Sequence, residues 1–518
     1  MNNIPIFCGL ETAETQANKN SRVLTASGAS LQSFQNYCKE LSVIGFQKQE
    51  NYSEGDHYYA SFSGKDNCVF VNYFDSIGEI FATEETNCAY FSFKDNSETG
   101  FSVSAQITQI DLVDFGMSYA IRLTDGRFII IDGGREFEED AAKLWKCISE
   151  GTPNGMTPTV ALWILTHPHS DHYHGAFTFI EKYLNSVKIQ KFLLNFPEHD
   201  DFEHYPQLQS KDFRFEDSSG YTNIPRMFRA IEKTDAKVFM AHTGQKYRVG
   251  GASIKILSCM DDTIHISDSI NASSIVFRME LAGQSILWGT DGSFSTSNLA
   301  ERYGETLKSD ILQIPHHGFS SGTVEGEITA YRHIRPSVCF LPVSDFNAYY
   351  VFSSFKKGTE FLMKHADVDD IISGTGQRTV TLPYIPDAYR KREYKEKYEK
   401  GQRSSGAHTW FFTDLSTACE EDFVFTVLNT VTNPATVWIE LFFEDYHDNI
   451  RHIKITVKSC AMKKFSIIGD EVDPDAVFFN WMSLKEKGIP ENTTFAVRFI
   501  SDIPVVISHQ RHQAAYHD

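Results

Sequence analysis

The run Val160-Ala161-Leu162-Trp163-Ile164-Leu165 passes without a polar residue straight into THPHSDHYHG, residues 166–175. A short apolar run of this kind reads as a strand buried on both faces, which requires layers packed on each side of a sheet. The segment after it is more constraining still, because it crowds four histidines and an aspartate into ten positions. Neutral imidazole is the commonest metal ligand among side chains. A single histidine on an apolar face is usually a satisfied core residue, but a cluster of this density is not. His167 and His169 lie two apart on extended backbone, so they point the same way and can hold one ion. The turn after them carries Asp171 and His172 towards a second. With no cysteine nearby, nitrogen and oxygen ligands alone suit zinc first, with manganese or iron as alternatives, in a site that keeps positions open for water and substrate.

The rest of the chain supplies residues that such a site would need. "ILWGTDG" ends an apolar strand with Asp291, whose two oxygens can bridge two ions. "DILQIPHHG" ends another with His316 and His317, and "IIIDGG" ends a third with Asp132 beside Gly133 and Gly134, a pair that permits a tight turn beneath the site. Each alone has a simpler reading as a turn. In order, each after an apolar run, they form one pattern.

At 518 residues the chain is too long for a single core. Residues 1–102 read as a small α+β domain for packing or partner contact. Ser30 caps a helix with Leu31, Phe34, Tyr37, Leu41 and Ile44 at helical spacing and Gly45 as its stop, followed by strands in "YYASFSG", "CVFVNYF" and "EIFAT". Residues 103–386 alternate strands with helices: a hairpin turning at Asp125-Gly126, a helix in "EDAAKLWKCISE", a helix in "GAFTFIEKYLN", and strands in "KFLLNF", "ASIKIL", "SSIVFRMEL", "SILWGTD" and "DILQIP". The fold class is therefore α/β for this part. Residues 387–406 read as a charged helical linker and 407–518 as a β-sandwich or barrel.

Net charge is −20, which argues against a long nucleic acid as partner, since each backbone phosphate asks for a Lys or Arg. No apolar run approaches the ~18 residues of a membrane span, and the N-terminus lacks the features of a signal peptide. Nine scattered cysteines without a CxxC pair fit reduced thiols, and the expected location is the cytoplasm.

The set Asp132-Gly133-Gly134, His167-x-His169-x-Asp171-His172, Asp291 and His316-His317-Gly318 resembles the metallo-β-lactamase fold hydrolases. "NASSIVFRMELAGQSILWGTD" and "DILQIPHHGFSSG" look most like the branch with the hydrolase domain of DNA-uptake channel proteins and a phosphorylcholine esterase. The resemblance implies an αββα sandwich with a two-metal site at its edge and hydrolytic chemistry. Many relatives carry a further His before the strand leading to the bridging Asp; here Asn271 stands about there, with His265 as a fallback. His174 lies outside the motif. The C-terminal segments "FVFTVLNT", "VWIELFFED" and "PVVISHQR" resemble the small β-sandwich of the sensory rhodopsin transducer family, which implies a ligand-binding or oligomerising module.

On this reading His167, His169 and Asp291 hold the first ion. Asp171, His172, Asp291 and one of His316 and His317 hold the second. Successive residues at a strand end point oppositely, so His317 is taken as the ligand and His316 as facing the substrate, as proton donor or phosphate contact. The reverse order stays open. On the same reading Asp171 also orients the nucleophile. The expected activity is that of a binuclear-metal-dependent phosphodiesterase on a small or short phosphorylated substrate, with two divalent ions lowering the pKa of a bridging water. A lactone, thioester or amide hydrolase on the same site is the alternative, as is a metal-binding sensor or scaffold. No membrane partner is expected, and the few charges in the C-terminal strands point to a homo-oligomer.

Overall fold

The computed structural model describes the chain from residue 4 to 513 except residues 197–222, 343–357, 363–367, 388–408, 444–450, 467–476, 480–493 and shorter stretches between them. The linker at 387–406 therefore falls almost wholly outside the described residues, as does His265. The chain divides into two compact units, Met1–Lys395 and Glu396–Asp518.

In the first unit, the helix Leu31–Val43 begins where the sequence predicts. The Ser30 hydroxyl accepts from the Ser33 N–H at 3.2 Å and the Ser33 hydroxyl accepts from the Ser30 N–H at 3.2 Å, a reciprocal cap. Phe34, Tyr37, Cys38 and Leu41 form its buried stripe. Ile44 differs from expectation: it is the residue after the helix and is partly exposed, because the chain turns out at Gly45, φ +106°. The helix accompanies a six-stranded antiparallel sheet in the order Ala13–Asn18, Ser21–Ser27, Glu79–Thr86, Asn67–Phe74, His57–Ser63, Gln47–Glu54.

Two eight-stranded mixed sheets follow. One runs Lys237–Met240, Lys191–Leu194, Thr159–Ile164, Phe128–Asp132, Ser118–Arg122, Gln106–Gln109, Arg378–Thr381, with Lys188–Ile189 as its eighth strand, paired off this path with Thr159–Ile164. The other runs Asp370–Ser373, Val338–Leu341, Ile311–Gln313, Gln284–Trp288, Val276–Leu281, Ala252–Ser258, Lys246–Val249, Lys94–Asp95. Their inner faces share one core, with Ile107, Ile121, Ile129 and Ile164 from the first and Ile254, Phe277, Trp288 and Phe340 from the second. All six residues of Thr159–Ile164 are buried, as the uninterrupted apolar run requires. The helices Glu138–Gly151 and Ser170–Tyr183 pack on each other and against the first sheet. The α/β sandwich with accompanying β-rich parts is thus the observed fold class.

The N-terminal sheet is tied to this sandwich by polar contacts as well as packing. Arg302, almost fully buried, stands between Glu79 at 3.0 Å and Asp262 at 3.1 Å. The Glu54 carboxylate receives Lys246 and Lys255, each at 3.3 Å. The Tyr52 hydroxyl donates to the Gly244 carbonyl at 2.5 Å and the Asn72 amide to the Thr243 carbonyl at 3.1 Å. Gly244, φ +90°, is required here, since a Cβ would lie 2.2 Å from the Tyr59 ring. Lys94–Asp95 then adds a strand parallel to Arg248–Val249.

The second unit is all β, with one sheet ordered Thr409–Ser416, Thr494–Ser501, Ala435–Phe443, Arg451–Val457, Val477–Phe479 and another ordered Ala461–Ser466, Glu421–Asn429, Val506–Gln513. Phe425, Val427 and Ile507 of the smaller sheet meet Val437, Ile439, Ile455 and Phe499 of the larger in one core. That arrangement is a sandwich rather than a closed barrel. On the outer face of the smaller sheet, Leu428 is paired with Met462 and with Val506, and all three side chains are exposed.

Candidate metal centre

The residues of interest all follow the carboxyl ends of strands, the edge where α/β sheets place their ligands. The two sheets meet there, the Ile275 N–H donating to the Thr166 carbonyl at 3.0 Å. Four of these strand-end residues have left-handed backbone: Asp132 (φ +53°), Thr290 (φ +51°), His316 (φ +48°) and His317 (φ +53°). Side chains with a Cβ adopt this conformation at a cost, and surrounding bonds must hold it. Gln313 does so for Thr290, its Oε1 accepting from the Thr290 N–H at 2.5 Å, and the His316 N–H donates to the Thr290 carbonyl at 2.8 Å.

Asp132 is wholly buried beneath the histidines. Its Oδ1 accepts from the Thr166 N–H at 2.8 Å, and its Oδ2 lies 2.7 Å from both the Thr166 hydroxyl and His172 Nδ1. It thereby fixes the ring so that Nε2 points away from it, the arrangement in which a carboxylate orients a ligating histidine. The adjoining glycines let the helix approach: a Cβ on Gly133 would sit 2.6 Å from the Ala176 nitrogen, and one on Gly175 would sit 1.9 Å from the Gly133 carbonyl oxygen. The helix Ser170–Tyr183 starts five residues before the expected "GAFTFIEKYLN", so Asp171 and His172 belong to its first turn and not to a connecting turn. His169, extended at φ −89° and ψ 143°, precedes that turn, and Asp171 complements the positive end of the helix.

Around this frame His167, His172 and Asp291 bring ligand atoms within 4.8 Å of one another, and so do Asp171, His172 and His317. His172 Nε2 lies 3.1 Å from Asp291 Oδ2 and 3.3 Å from His317 Nε2, and His317 Nε2 lies 3.3 Å from Asp171 Oδ2. His317 Nδ1 is anchored 3.0 Å from the Pro342 carbonyl. His169 stands beside the two groups, its Nδ1 3.0 Å from His167 Nε2. His316 does not enter the cluster; its Nε2 faces the Asn271 amide at 3.1 Å. His174 is buried elsewhere, its ring against Tyr173 and Phe177. Thr166 and Gln313 escaped the sequence reading, although Gln313, a polar residue inside an otherwise apolar strand, was a usable signal.

The electrostatics follow from burial and convergence. Burial pushes His167 well below the ordinary histidine range, and the neighbouring His172 and His169 add to this. Burial would lower His172 and His317 too, but the carboxylates outweigh it. Asp291, Asp171 and Asp132 raise His172 well above its ordinary value, and Asp291 with Asp171 raises His317 to about 9. Burial works against ionisation of Asp171 and Asp291 and is outweighed by the histidines, chiefly His172, so both carboxyls are held below their usual range. Imidazole nitrogens and carboxylate oxygens directed at one another from three strand ends are a donor set that divalent zinc, manganese or iron fits.

Comparison with known proteins agrees with this geometry. The family model described as "Metallo-beta-lactamase superfamily" matches residues 112–249, a span that contains Asp132 and His167 to His172. The resemblance of this region to that superfamily is shown, and it points to metal-dependent hydrolysis. Among solved structures, the metallo-beta-lactamase fold protein YhfI from Bacillus subtilis is 11% identical, with 54% of this chain and 100% of that chain covered and a TM-score of 0.31. The Anabaena sensory rhodopsin transducer is 23% identical, with 21% of this chain and 89% of that chain covered and a TM-score of 0.16. Thermotoga maritima 1070 is 19% identical, with 21% and 81% covered and a TM-score of 0.15. The search of curated proteins found no match. Among the described residues, no helix is long and apolar enough to cross a membrane.

Proposed function

We propose that the chain is a binuclear-metal-dependent hydrolase, a phosphodiesterase on small or short phosphorylated substrates. The observation that carries this is the pair of three-residue ligand groups sharing His172, His167–His172–Asp291 and Asp171–His172–His317. His167, His169 and Asp291 would hold one divalent ion, zinc first among the candidates, and Asp171, His172, Asp291 and His317 the other. When bound, the ions supply Lewis acidity that activates water near neutral pH and neutralises charge on the leaving oxygen.

The chain's own residues do the rest. Asp132 keeps the His172 proton on Nδ1 and so leaves Nε2 as a lone-pair donor. The Pro342 carbonyl does the same for His317. Asp171, held ionised, would orient the attacking water. His316, outside the cluster, is left to contact the substrate. A panel of bis(p-nitrophenyl) phosphate, a generic lactone and nitrocefin, each with zinc or manganese, tests the reading. Phosphodiester cleavage that chelator abolishes is the expected result, and turnover of the lactone or nitrocefin alone would replace it. Self-association through residues 407–518 is also proposed, with the exposed Leu428, Met462 and Val506 in its favour. Light scattering on the full chain and on a chain ending near residue 402 tests it.

A further inference from the structure

We infer that Gln313 is a positioning residue whose side-chain amide sets the span between Asp291 and His317, on which the sharing of Asp291 by two ions depends. The consequence for metal rests on the binuclear reading above; the geometry does not. Gln313 is the last residue of the strand Ile311–Gln313 and is fully buried, a polar side chain closing an apolar run. Two candidate ligands hang from the segments it touches. Asp291 directly follows Thr290, and His317 lies three residues beyond Ile314.

The partners of the amide fix its orientation. The Thr290 N–H can only donate, so the atom that faces it at 2.5 Å is Oε1. Backbone carbonyls can only accept, so the atom that faces the Ile314 carbonyl at 2.6 Å is Nε2, with the Thr290 carbonyl at 3.4 Å. One planar group thus bridges the end of the strand Gln284–Trp288 and the start of the His316-His317 turn. Main-chain bonds bring the same two segments together. The Gly289 N–H donates to the Gln313 carbonyl at 3.3 Å, and the His316 N–H to the Thr290 carbonyl at 2.8 Å.

What the bridge opposes is the preference of Thr290 itself. A β-branched residue at φ +51° is strained, and the Thr290 N–H lies in the peptide plane from which that angle is measured. Without its acceptor the plane can rotate, Thr290 relaxes to negative φ, and the next residue swings. Asp291 is that residue. Its Oδ2 now stands 3.1 Å from His172 Nε2, 3.5 Å from His317 Nε2 and 3.8 Å from His167 Nε2. The His317 ring is held separately, by the Pro342 carbonyl at 3.0 Å. The carboxylate is therefore the partner that moves when the amide is lost, and a displaced carboxylate no longer reaches both ligand groups.

The test compares two buried glutamines in the full chain. Gln313→Met keeps the length of the side chain and removes its donor and acceptor. Gln245→Met does the same at the N-terminal joint, where Gln245 Oε1 accepts from the His242 N–H at 2.7 Å and the Tyr247 hydroxyl at 2.5 Å. Both variants lose buried hydrogen bonds and should lose Tm. Crystal structures of the metal-free proteins give the first arm. Gln313→Met should show Thr290 at negative φ and an Asp291–His317 separation well beyond 3.5 Å, whereas Gln245→Met should keep both. A left-handed Thr290 with the separation unchanged in Gln313→Met overturns the proposal.

Manganese titration followed by electron paramagnetic resonance gives the second arm. Two ions that share a carboxylate are exchange-coupled, and the wild-type chain should show that coupled spectrum at the second equivalent. Gln313→Met should bind the second equivalent about 10- to 100-fold more weakly and show the hyperfine pattern of isolated manganese. Gln245→Met should keep the coupled pair. A coupled pair at wild-type affinity in Gln313→Met overturns the proposal, and so does its loss in both variants, which marks a general response to lowered stability. If the wild-type chain binds no metal, the binuclear reading fails, while the crystal structures still decide whether Gln313 sets the span.

Discussion

His172 and His242 are both buried beside carboxylates, and of the two only His172 belongs to the candidate metal site. His242 lies where the N-terminal sheet meets the sandwich, with Nδ1 2.5 Å from Asp261, Nε2 3.8 Å from Glu85 and its ring stacked on Phe70. Asp261 is further satisfied by the Asn195 amide at 3.1 Å. There the close contact is the single one from Nδ1 to Asp261, and among the described residues His242 joins no group of three convergent ligand atoms. At His172 the arrangement differs, because a single Nε2 faces Asp291, Asp171 and His317 together. Burial beside a carboxylate is therefore no sign of metal binding. Convergence of several lone pairs on one region is.

The contrast can be broken most decisively at Asp291. Asp291→Ala should remove metal from both groups and cut hydrolysis about 10³-fold, since several kcal/mol of charge stabilisation go at 1.36 kcal/mol per factor of ten. Metal analysis and turnover numbers check it, and a variant with two ions and full turnover would dissolve the distinction. At the joint the expected outcome is inverted. Arg302→Met leaves the buried Asp262 and the half-buried Glu79 without their cation and should cost about 3–5 kcal/mol of stability, read by denaturant unfolding, while metal stoichiometry at low temperature is unchanged.

A smaller effect sharpens the role of Asp132. Asp132→Asn keeps the shape but weakens the hold on His172, so metal affinity should fall about 10- to 100-fold in a chelator competition, with little loss of fold. The smallest effect is the pH response of metal-free protein. His172 and His317 both have raised values, so the stability they contribute is full below the unfolded value of about 6.5, and the share of His317 is lost as pH rises through about 9. Metal-free protein should therefore lose Tm from pH 6.5 to 9.5 more steeply than His317→Gln does. Bound metal, which requires deprotonated ligands, should flatten the slope.

Much of this was legible in the residues because local chemistry and global packing agree. The six buried positions of Thr159–Ile164, the Ser30 cap and the Asp125-Gly126 hairpin are each specified by a few neighbouring residues. The residues that converge were legible too, since His167, Asp171, His172, Asp291 and His317 each come just after an apolar strand. The start of the helix at Ser170 was hidden, because histidines and proline say little about helix onset and only packing through Gly133 and Gly175 brings the helix so near. The N-terminal joint was hidden for a different reason. Asn72, Asn195, His242 and Arg302 look like ordinary polar residues until strands distant in sequence bring them together, and only their positions within apolar runs hinted otherwise.

The pairing of Arg378–Thr381 with Gln106–Gln109 also bears on how the molecule is made. Thr108 and Thr379 touch across this seam although they are 271 positions apart. In the N-terminal sheet, by contrast, most strands pair with their immediate neighbours in sequence. Short loops close cheaply and quickly, and chains emerge from the ribosome N-terminus first. The six-stranded sheet can thus form while the sandwich is still being synthesised, offering a finished surface on which Lys246 and Lys255 later settle. The first sheet of the sandwich, however, keeps an open edge until translation has passed Thr381. During that interval Gln106–Gln109 is a solvent-facing strand seeking a partner, which makes the nascent chain most vulnerable to mispairing just before the last strand of that sheet arrives.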